Sequence, residues 1–274
     1  MGALPLHAQL GALGKVCRLG LASRGNTNLD AEDVLEGVRR GVNYLNWCGY
    51  PDGISEAVRR LGENRGDVVI ATQLSARSAV AAHKELDEKL AQLGTDTIDV
   101  VTHYYLEHES EWEEVQAPGG AHEALVEARA RGVIGAIGLT SHQRRLAARI
   151  AASGRIDLLM IRYNAAHRGA EEEVFPLISH SGMPIVAFTG MRWGALIGTT
   201  VDDPPGFVPP GPLDCYRFVL SHPSVTVGLM APDGRRELEE DLRLLDDWRA
   251  LTGAEDESLR AHGDRVRRNA GSFP

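Results

Sequence analysis

The sequence predicts a single eight-stranded parallel α/β barrel, a (β/α)8 TIM barrel in which strands and helices alternate. Two observations predict this fold. Short apolar runs rich in β-branched residues alternate with longer helical patterns along most of the 274 residues, as expected for repeated strand–helix units. The apolar runs are nearly continuous and do not alternate with polar residues, which is typical of strands buried on both faces.

The elements follow one another without a break in composition. The predicted strands are 16–22, 42–47, 68–73, 98–103, 134–140, 158–163, 184–189 and 225–229. The predicted helices between them include 31–40, 55–61, 79–93, 122–131, 143–152 and 172–180. We therefore expect one domain over residues 1–274. A doubly wound sheet is the alternative, but it would want a glycine-rich turn after its first strand, and the segment from Gly20 to Gly25 is not G-x-G-x-x-G.

Two segments do not fit the alternation. Residues 104–120 follow the fourth strand and are acidic, and residues 199–213 follow the seventh strand and are rich in proline. Because proline fixes φ and removes a backbone donor, we expect the second segment to be ordered but not helical. Loops that follow the strands of a barrel stand over its active face. A tolerated surface insertion is the alternative for both segments.

Composition excludes several classes of protein. The net charge of −9 and the lack of any long basic run argue against nucleic acid and anionic membranes as partners. No apolar stretch approaches the roughly 18 residues that a membrane span needs, and the N-terminus does not resemble a secretory signal. The three cysteines, Cys17, Cys48 and Cys215, do not suggest a disulfide framework. We therefore expect a cytoplasmic location.

Six segments resemble the aldo-keto reductase superfamily, in the order that this family has them. They are 10–21, 41–56, 93–103, 131–141, 161–168 and 187–196. The first resembles the family's N-terminal hairpin, which implies a β-hairpin cap on the barrel. Gly41-Val-Asn-Tyr-Leu-Asn46 resembles the family's G-x-N-x-x-D block. The third segment resembles the strand that ends in the family's catalytic histidine.

Members of this family reduce carbonyls with a bound nicotinamide cofactor. A tyrosine gives the proton, a lysine lowers the pKa of that phenol, an aspartate holds the lysine, and a histidine orients the carbonyl. The resemblance implies that the corresponding residues here are Tyr50, Gln73, Asn46 and His103. Tyr50 lies one residue closer to Asn46 than the family spacing.

Asn46 and Gln73 replace two opposite charges by two amides. A buried lysine without its aspartate leaves an uncompensated charge, which costs several kcal/mol, whereas two amides can still form a hydrogen bond between neighbouring strands. Without an ammonium group beside it, a phenol has a pKa near its ordinary value of about 10 and is a poorer proton donor. We therefore expect Asn46 and Gln73 to be hydrogen-bonded at the top of the barrel, with Tyr50 and His103 around the same cavity.

Tyr105 is a second candidate for the acid. If the fourth strand continues past His103, the two side chains share its inward face, because side chains alternate along a strand. If the strand ends at His103, Tyr105 is a loop aromatic on the rim. For His103 itself, the alternative to a site role is a buried core histidine.

The resemblance also implies that NADP(H) binds along the top of the barrel. The matched positions are Thr140, Ser141, Met160, Phe188, Thr189, Arg192, Gly194, Arg235, Arg236 and Asp241. Arg235 and Arg236 begin a predicted helix, where a 2′-phosphate would meet free N–H groups and guanidinium donors. This favours NADP(H) over NAD(H). Two solvated arginines at the start of a surface helix are the alternative.

The predicted nicotinamide contacts differ in part from those of the family. Phe188 keeps the aromatic face of the family's stacking tyrosine. Thr140, Ser141 and Met160 are shorter or less polar than the family's carboxamide partners, and His142 is a candidate to replace them. The acidic segment holds possible metal ligands, but they lack a fixed spacing, so we expect a solvated loop and no metal site.

Three functional hypotheses follow. The first is an NADP(H)-dependent oxidoreductase acting on a small carbonyl or another polarised double bond. The second is a catalytically silent NADP(H)-binding protein that regulates or scaffolds a partner. The third is a barrel recruited for non-redox elimination or cyclisation chemistry. Substrate identity and oligomeric state are left open, because specificity depends on loops.

Overall fold

Eight parallel strands form a closed barrel in the computed structural model of the chain, which describes residues 4–23, 28–269 and 271. The barrel strands are β3 Leu19–Ala22, β4 Tyr44–Trp47, β5 Val69–Leu74, β6 Ile98–His103, β7 Ile134–Ser141, β8 Leu158–Arg162, β9 Ile185–Phe188 and β10 Val227–Met230. Each strand pairs with its neighbour in sequence, and β10 closes the circle against β3. The predicted barrel is confirmed. Residues 1–3, 24–27, 270 and 272–274 of the predicted domain lie outside the described residues.

A two-stranded antiparallel hairpin precedes the barrel, as the resemblance implies. Its strands are β1 His7–Gln9 and β2 Lys15–Cys17. The predicted first strand at 16–22 is therefore divided between the hairpin and β3, because the chain bends at Arg18, whose backbone bonds to Leu6 on one side and Gly228 on the other. Leu13 lies so close to Gly135 that a Cβ at the glycine would be 2.6 Å from it.

Helices surround the barrel. They are α1 Ala31–Arg39, α2 Gly53–Leu61, α3 Ala79–Leu93, α4 Glu109–Gln116, α5 Ala121–Ala130, α6 Arg144–Ala152, α7 Ala170–Glu173, α8 Phe175–Ile178, α9 Pro212–Ser221, α10 Arg235–Asp246 and α11 Gly253–Asn269. Short 3-10 helices occupy Gly11–Leu13, Gly62–Asp67 and Ala195–Ile197. Among the described residues, no helix combines the length and apolar character that crossing a membrane requires.

The acidic segment after β6 is not the irregular loop that the sequence predicts, because it contains α4. Trp112 and Val115 are buried at helical spacing on one face of α4. At the start of the helix, the carboxylate of Glu111 accepts hydrogen bonds from the backbone N–H groups of Glu107 and His108. This capping satisfies donors that a helix N-terminus otherwise leaves unpaired.

The proline-rich segment 199–213 is ordered and mostly non-helical, as predicted. Side chains of α11 hold it in place. Asp203 accepts from Arg265 Nε at 2.5 Å and lies 3.4 Å from the buried His262 Nδ1. Phe207 packs on the His262 ring with centroids 4.8 Å apart. The segment is therefore fastened to the C-terminal helix.

Two layers of apolar side chains make up the core. The outer layer lies between the strands and the helices. The inner layer fills the barrel and comprises Leu10, Val16, Ala22, Tyr44, Val69, Ala71, Val100, Ala136, Leu158, Met160, Val186, Phe188, Val227 and Leu229. Leu10 and Val16 belong to the hairpin, so the hairpin closes the amino-terminal end of the barrel. The opposite end, where the strands terminate, is called the mouth below.

Candidate active site

Asn46 and Gln73 form the expected hydrogen bond. Gln73 Nε2 donates to Asn46 Oδ1 over 2.8 Å, between β4 and β5. On its other side, Asn46 Nδ2 lies 3.9 Å from the sulfur of Cys48, whose thiol donates to the carbonyl oxygen of Ser23 at 2.6 Å. A neutral chain of hydrogen bonds therefore connects the ends of β3, β4 and β5. No cation stands at the position of Gln73 to act on a nearby phenol.

His103 does not line the mouth, and the expectation that it shares a cavity with Asn46 is wrong. Its neighbour Thr102 points inward, where its hydroxyl lies 3.0 Å from that of Thr140. Because successive side chains of a strand point to opposite faces, His103 points outward into the helix layer. There the fully buried imidazole has Nε2 3.2 Å from His122 Nδ1 and its edge against Trp112.

The surroundings of His103 keep it neutral. Burial lowers its pKa to about 3, and the neighbouring His122 adds to the effect. The Nδ1 atom is buried and has no hydrogen-bond partner among the described residues. His103 is therefore a buried core histidine, which is the alternative stated from the sequence.

Tyr50 lies in the turn between β4 and α2. The residue is 68% exposed, and its carbonyl oxygen accepts a hydrogen bond from Trp47 Nε1 at 2.7 Å. Asp52 caps α2 only two residues later, which fixes the path of this turn. The structure therefore does not enclose the Tyr50 phenol with the Asn46–Gln73 pair.

Tyr105 is at the mouth, although β6 has ended before it. Its backbone adopts the left-handed conformation with φ 38°, which is uncommon for a bulky residue. Arg77 Nη2 donates to the carbonyl oxygens of Tyr104 at 3.1 Å and Tyr105 at 3.3 Å. The ring packs against the inner layer and stacks on His142 with centroids 4.3 Å apart. Tyr105 therefore lies in the loop after β6, as in the alternative that makes it a loop aromatic on the rim. Its ring nevertheless contacts the inner layer of the barrel.

His142, Arg162 and Phe188 lie beside Tyr105, on the side of the mouth opposite Asn46. Arg162 Nη2 and His142 Nδ1 are 3.0 Å apart, and the His142 backbone N–H donates to a Glu107 carboxylate oxygen at 2.8 Å. The edge of the His142 ring faces Phe188 with centroids 5.7 Å apart. Burial, followed by the positive charge of Arg162, lowers the pKa of His142 to about 4. Burial lowers that of Arg162 to about 10.

Sequence reasoning gave Arg162 no role. It is the last residue of β8 and pairs with Phe188 of β9. Leu158 and Met160 belong to the inner layer, and Arg162 continues their two-residue period. That period is the signal by which Arg162 could have been found, since a charged residue ends an inward row at the carboxyl end of a barrel strand.

The positions matched to carboxamide binding are largely engaged with the protein itself. The Thr140 hydroxyl pairs with Thr102. The Ser141 hydroxyl donates to the carbonyl oxygen of Leu106 at 2.7 Å and accepts from Gln143 N–H at 3.0 Å. Met160 is an inner-layer residue. These contacts tie the end of β7 to the loop after β6.

Arg192 does not present its guanidinium to an open groove, which corrects the expectation from the sequence. The residue is buried and donates from Nη1 to the carbonyl oxygen of Val266 in α11 at 2.8 Å. Thr189, Arg192 and Gly194 all have positive φ, so the loop after β9 turns sharply. This turn carries the arginine into the space beside α11, where its Nη1 and Nη2 groups donate to the carbonyl oxygens of Val266 and Gly271.

Arg235 and Arg236 begin α10, and they differ in their hydrogen-bond partners and in their exposure. Arg235 donates to Glu239 at 2.7 Å and to Asp33 at 3.3 Å. The Arg236 side chain is 85% exposed and lies 3.8 Å from Glu237. The helix begins after Gly234 and has no side-chain N-cap bond. Of the two arginines, Arg236 is therefore the more exposed and the less engaged by carboxylates, and no side chain among the described residues caps the first N–H groups of the helix.

Asp241, matched to cofactor binding, points into the core instead. It is 2% exposed and accepts a hydrogen bond from the Tyr216 hydroxyl at 3.1 Å. Burial raises its pKa to about 7. Asp241 lies on the side of α10 that carries the buried residues Leu238 and Leu242, so helical spacing turns it away from the surface.

A closed parallel barrel with polar side chains gathered at the carboxyl ends of its strands is the arrangement of barrel enzymes. The aldo/keto reductase family model matches residues 18–214, and the chain belongs to this family. No curated protein matches it significantly.

Solved structures of aldo-keto reductases share the fold. The holo form of aldo-keto reductase AKR11C1 from Bacillus halodurans has a TM-score of 0.74 and 19% identity, with 95% of each chain covered. An aldo-keto reductase from Klebsiella pneumoniae, solved in complex with NADPH, has a TM-score of 0.75 and 16% identity, with 95% of this chain and 96% of that chain covered.

Proposed function

We propose that the chain is an NADP(H)-dependent oxidoreductase that reduces a small carbonyl compound, or another polarised double bond, through an altered proton relay. Membership of the aldo/keto reductase family supports the reaction class. The observation that carries the proposal is the mouth itself, where Tyr105, His142 and Arg162 gather around the Phe188 ring.

The residues at the mouth fit the nicotinamide end of NADP(H). Phe188 offers an aromatic face at the end of β9, and the solved relative from Klebsiella pneumoniae holds NADPH on the same fold. The start of α10 and the exposed Arg236 suit a phosphate. When bound, NADP(H) supplies a hydride. The protein's own residues orient the substrate and stabilise the negative charge that develops on its oxygen.

The altered relay follows from the contacts of the family-matched positions. Asn46 and Gln73 are neutral, Tyr50 lies in an exposed turn, and His103 is buried outside the mouth. Among the residues assigned an acid role from the sequence, Tyr105 is the phenol that packs on the inner layer. We therefore assign Tyr105, rather than Tyr50, as the candidate acid.

The same contacts favour a second candidate function, a catalytically silent NADP(H)-binding protein. The neutral Asn46–Gln73 pair cannot activate a phenol, and His103 cannot reach a substrate at the mouth. A protein of this kind would bind the cofactor and respond to it without turning over substrate.

Two measurements separate these candidates. Titration of the full chain with NADPH and NADH, followed by cofactor fluorescence, tests binding, and we expect saturable binding of NADPH that is tighter than that of NADH. NADPH oxidation with a panel of aldehydes, ketones, activated imines and enones then tests hydride transfer. Failure to bind either cofactor would contradict both candidates. Binding without oxidation of NADPH on any compound would favour the silent binder.

A further inference from the structure

We propose that His142 is the residue that binds and polarises the substrate oxygen, and that Arg162 is the positioning residue that holds it in the required tautomer. This inference rests on the proposed function and identifies the group at the mouth that takes over the role of an oxygen-binding histidine. His103, at the family's position, cannot play this role because it lies in the helix layer.

The contact between Arg162 and His142 determines where the imidazole carries its proton. A guanidinium group has five N–H donors and no acceptor. Since Arg162 Nη2 lies 3.0 Å from His142 Nδ1, Nδ1 must be the unprotonated acceptor. The neutral ring then carries its proton on Nε2. Among the described residues, Nε2 forms no hydrogen bond, so this N–H is available to a ligand.

Three contacts, from the loop after β6 and from β9, hold His142 in place. Tyr105, from the loop after β6, stacks on it at 4.3 Å. Phe188, at the end of β9, meets its edge at 5.7 Å. The backbone N–H of His142 is bonded to Glu107 at 2.8 Å. Because both aromatic neighbours pack at the mouth, the imidazole stands beside the ring against which we place the nicotinamide. A donor fixed in this way needs little reorganisation when charge develops.

His142 also borders a cleft of about 660 Å³, which is lined in part by Gln143, Arg144 and Arg149. Bound NADPH would supply a hydride to the carbonyl carbon, and the electron pair of the broken π bond would then remain on the substrate oxygen. The Nε2–H of His142 stabilises that negative oxygen, and the nearby Arg162 charge adds to the effect. The Tyr105 phenol, which stacks on His142, donates the proton that completes the alcohol and is then reprotonated from solvent.

The first test needs no turnover. ¹⁵N NMR of the imidazole in the cofactor-free protein distinguishes the two neutral tautomers, and we expect the Nε2–H form for His142 at pH 7. Arg162→Met should allow both tautomers of His142. It should also raise the pKa of His142 toward that of a free histidine, because the positive charge of Arg162 adds to burial in lowering it. A wild-type protein with the proton on Nδ1, or an Arg162→Met variant with an unchanged tautomer, would overturn the assignment of Arg162.

The second test separates this inference from the proposed function. His142→Ala should lower kcat about 10²–10³-fold, as for the loss of one oxyanion donor, with the Kd for NADPH within about threefold of wild type. His142→Gln, whose side-chain amide can donate from a similar position, should recover most of kcat. His83→Ala removes a histidine on the surface of α3 and is the matched control.

The outcomes are distinct. If His142→Ala reduces the carbonyl panel as fast as wild type, the inference is wrong while the proposed function stands. If wild type binds no NADPH, or binds it and reduces nothing, the proposed function fails and the inference fails with it.

Discussion

The side-chain amide of Gln73 donates to that of Asn46 over 2.8 Å. This hydrogen bond connects β4 and β5 without a charge on either side chain. Because both amides are neutral, the pair requires no counter-ion and places no charge at the mouth. Its consequences for rate and for stability can be measured separately.

Restoring the charges should restore ordinary carbonyl reduction. Asn46→Asp with Gln73→Lys places an ammonium group near the mouth, and we expect faster NADPH oxidation with simple aldehydes. General acid–base help is worth about 10²–10⁴ in rate. Gln73→Lys alone should lower the free energy of unfolding by about 1–3 kcal/mol, less than the 3–5 kcal/mol of a fully buried unpaired charge, because Gln73 is partly exposed.

Steady-state kinetics and urea unfolding of the double variant and both single variants check this prediction. A wild type that already reduces ordinary aldehydes at typical enzyme rates would contradict the view that the neutral pair weakens the relay.

His103 should make the fold sensitive to acid. Its folded-state pKa of about 3 lies below the value near 6.5 of an unfolded chain. Between these pH values the unfolded chain binds a proton that the folded chain does not. The free energy of unfolding should therefore be highest above pH 6.5 and fall as the pH drops toward 3, by about 1.4 kcal/mol per pH unit from this residue.

Urea unfolding at several pH values between 7 and 4 measures this slope. His103→Leu should reduce the slope by the contribution of one proton. Equal slopes in the wild type and His103→Leu would show that His103 is not the group that titrates.

Discrimination between NADPH and NADH should depend on Arg236 more than on Arg235, because Arg235 is already bonded to Glu239 and Asp33. Arg236→Ala should weaken NADPH by about 1.5–3 kcal/mol for a lost charged hydrogen bond and barely change NADH. Arg235→Ala is the matched comparison and should have the smaller effect. Fluorescence titration of each variant with both cofactors gives the answer, and equal weakening of both would remove the 2′-phosphate assignment.

Asp203 should control the order of the proline-rich segment. It bonds to Arg265 and lies beside His262 of α11, so Asp203→Ala removes the contacts that fasten residues 199–213. We expect faster cleavage within this segment in limited proteolysis. Asp246→Ala, which removes an exposed salt bridge to Arg40, is the control and should be cleaved like the wild type. Unchanged cleavage of Asp203→Ala would mean that the remaining contacts, those of Phe207 with His262 and of Asp202 with Asn269, hold the segment.

The sequence by itself predicted the barrel, the order of its strands and the neutral Asn46–Gln73 pair. These succeed because each depends on a local pattern or on a residue type, and adjacent parallel strands bring matched positions together whatever the loops do. The acidic segment was predicted less well. Charged residues there suggested a loop, while burial of Trp112 and Val115 stabilises a helix.

Only the tertiary structure decided which side chains reach the mouth. A strand buried on both faces is apolar on both, so its sequence does not show which alternate residues point inward, and a shift of one position moves a side chain from the mouth to the helix layer. Thr102 points into the barrel, whereas His103, the next residue, points into the helix layer. Asp241 and Arg192 are turned inward by the packing of α10 and α11, which no short motif encodes. His142 and Arg162 lie at the ends of two strands and are 20 residues apart in sequence. The register of the β7–β8 pairing, in which Ser141 lies opposite Ile161, brings them within hydrogen-bonding distance.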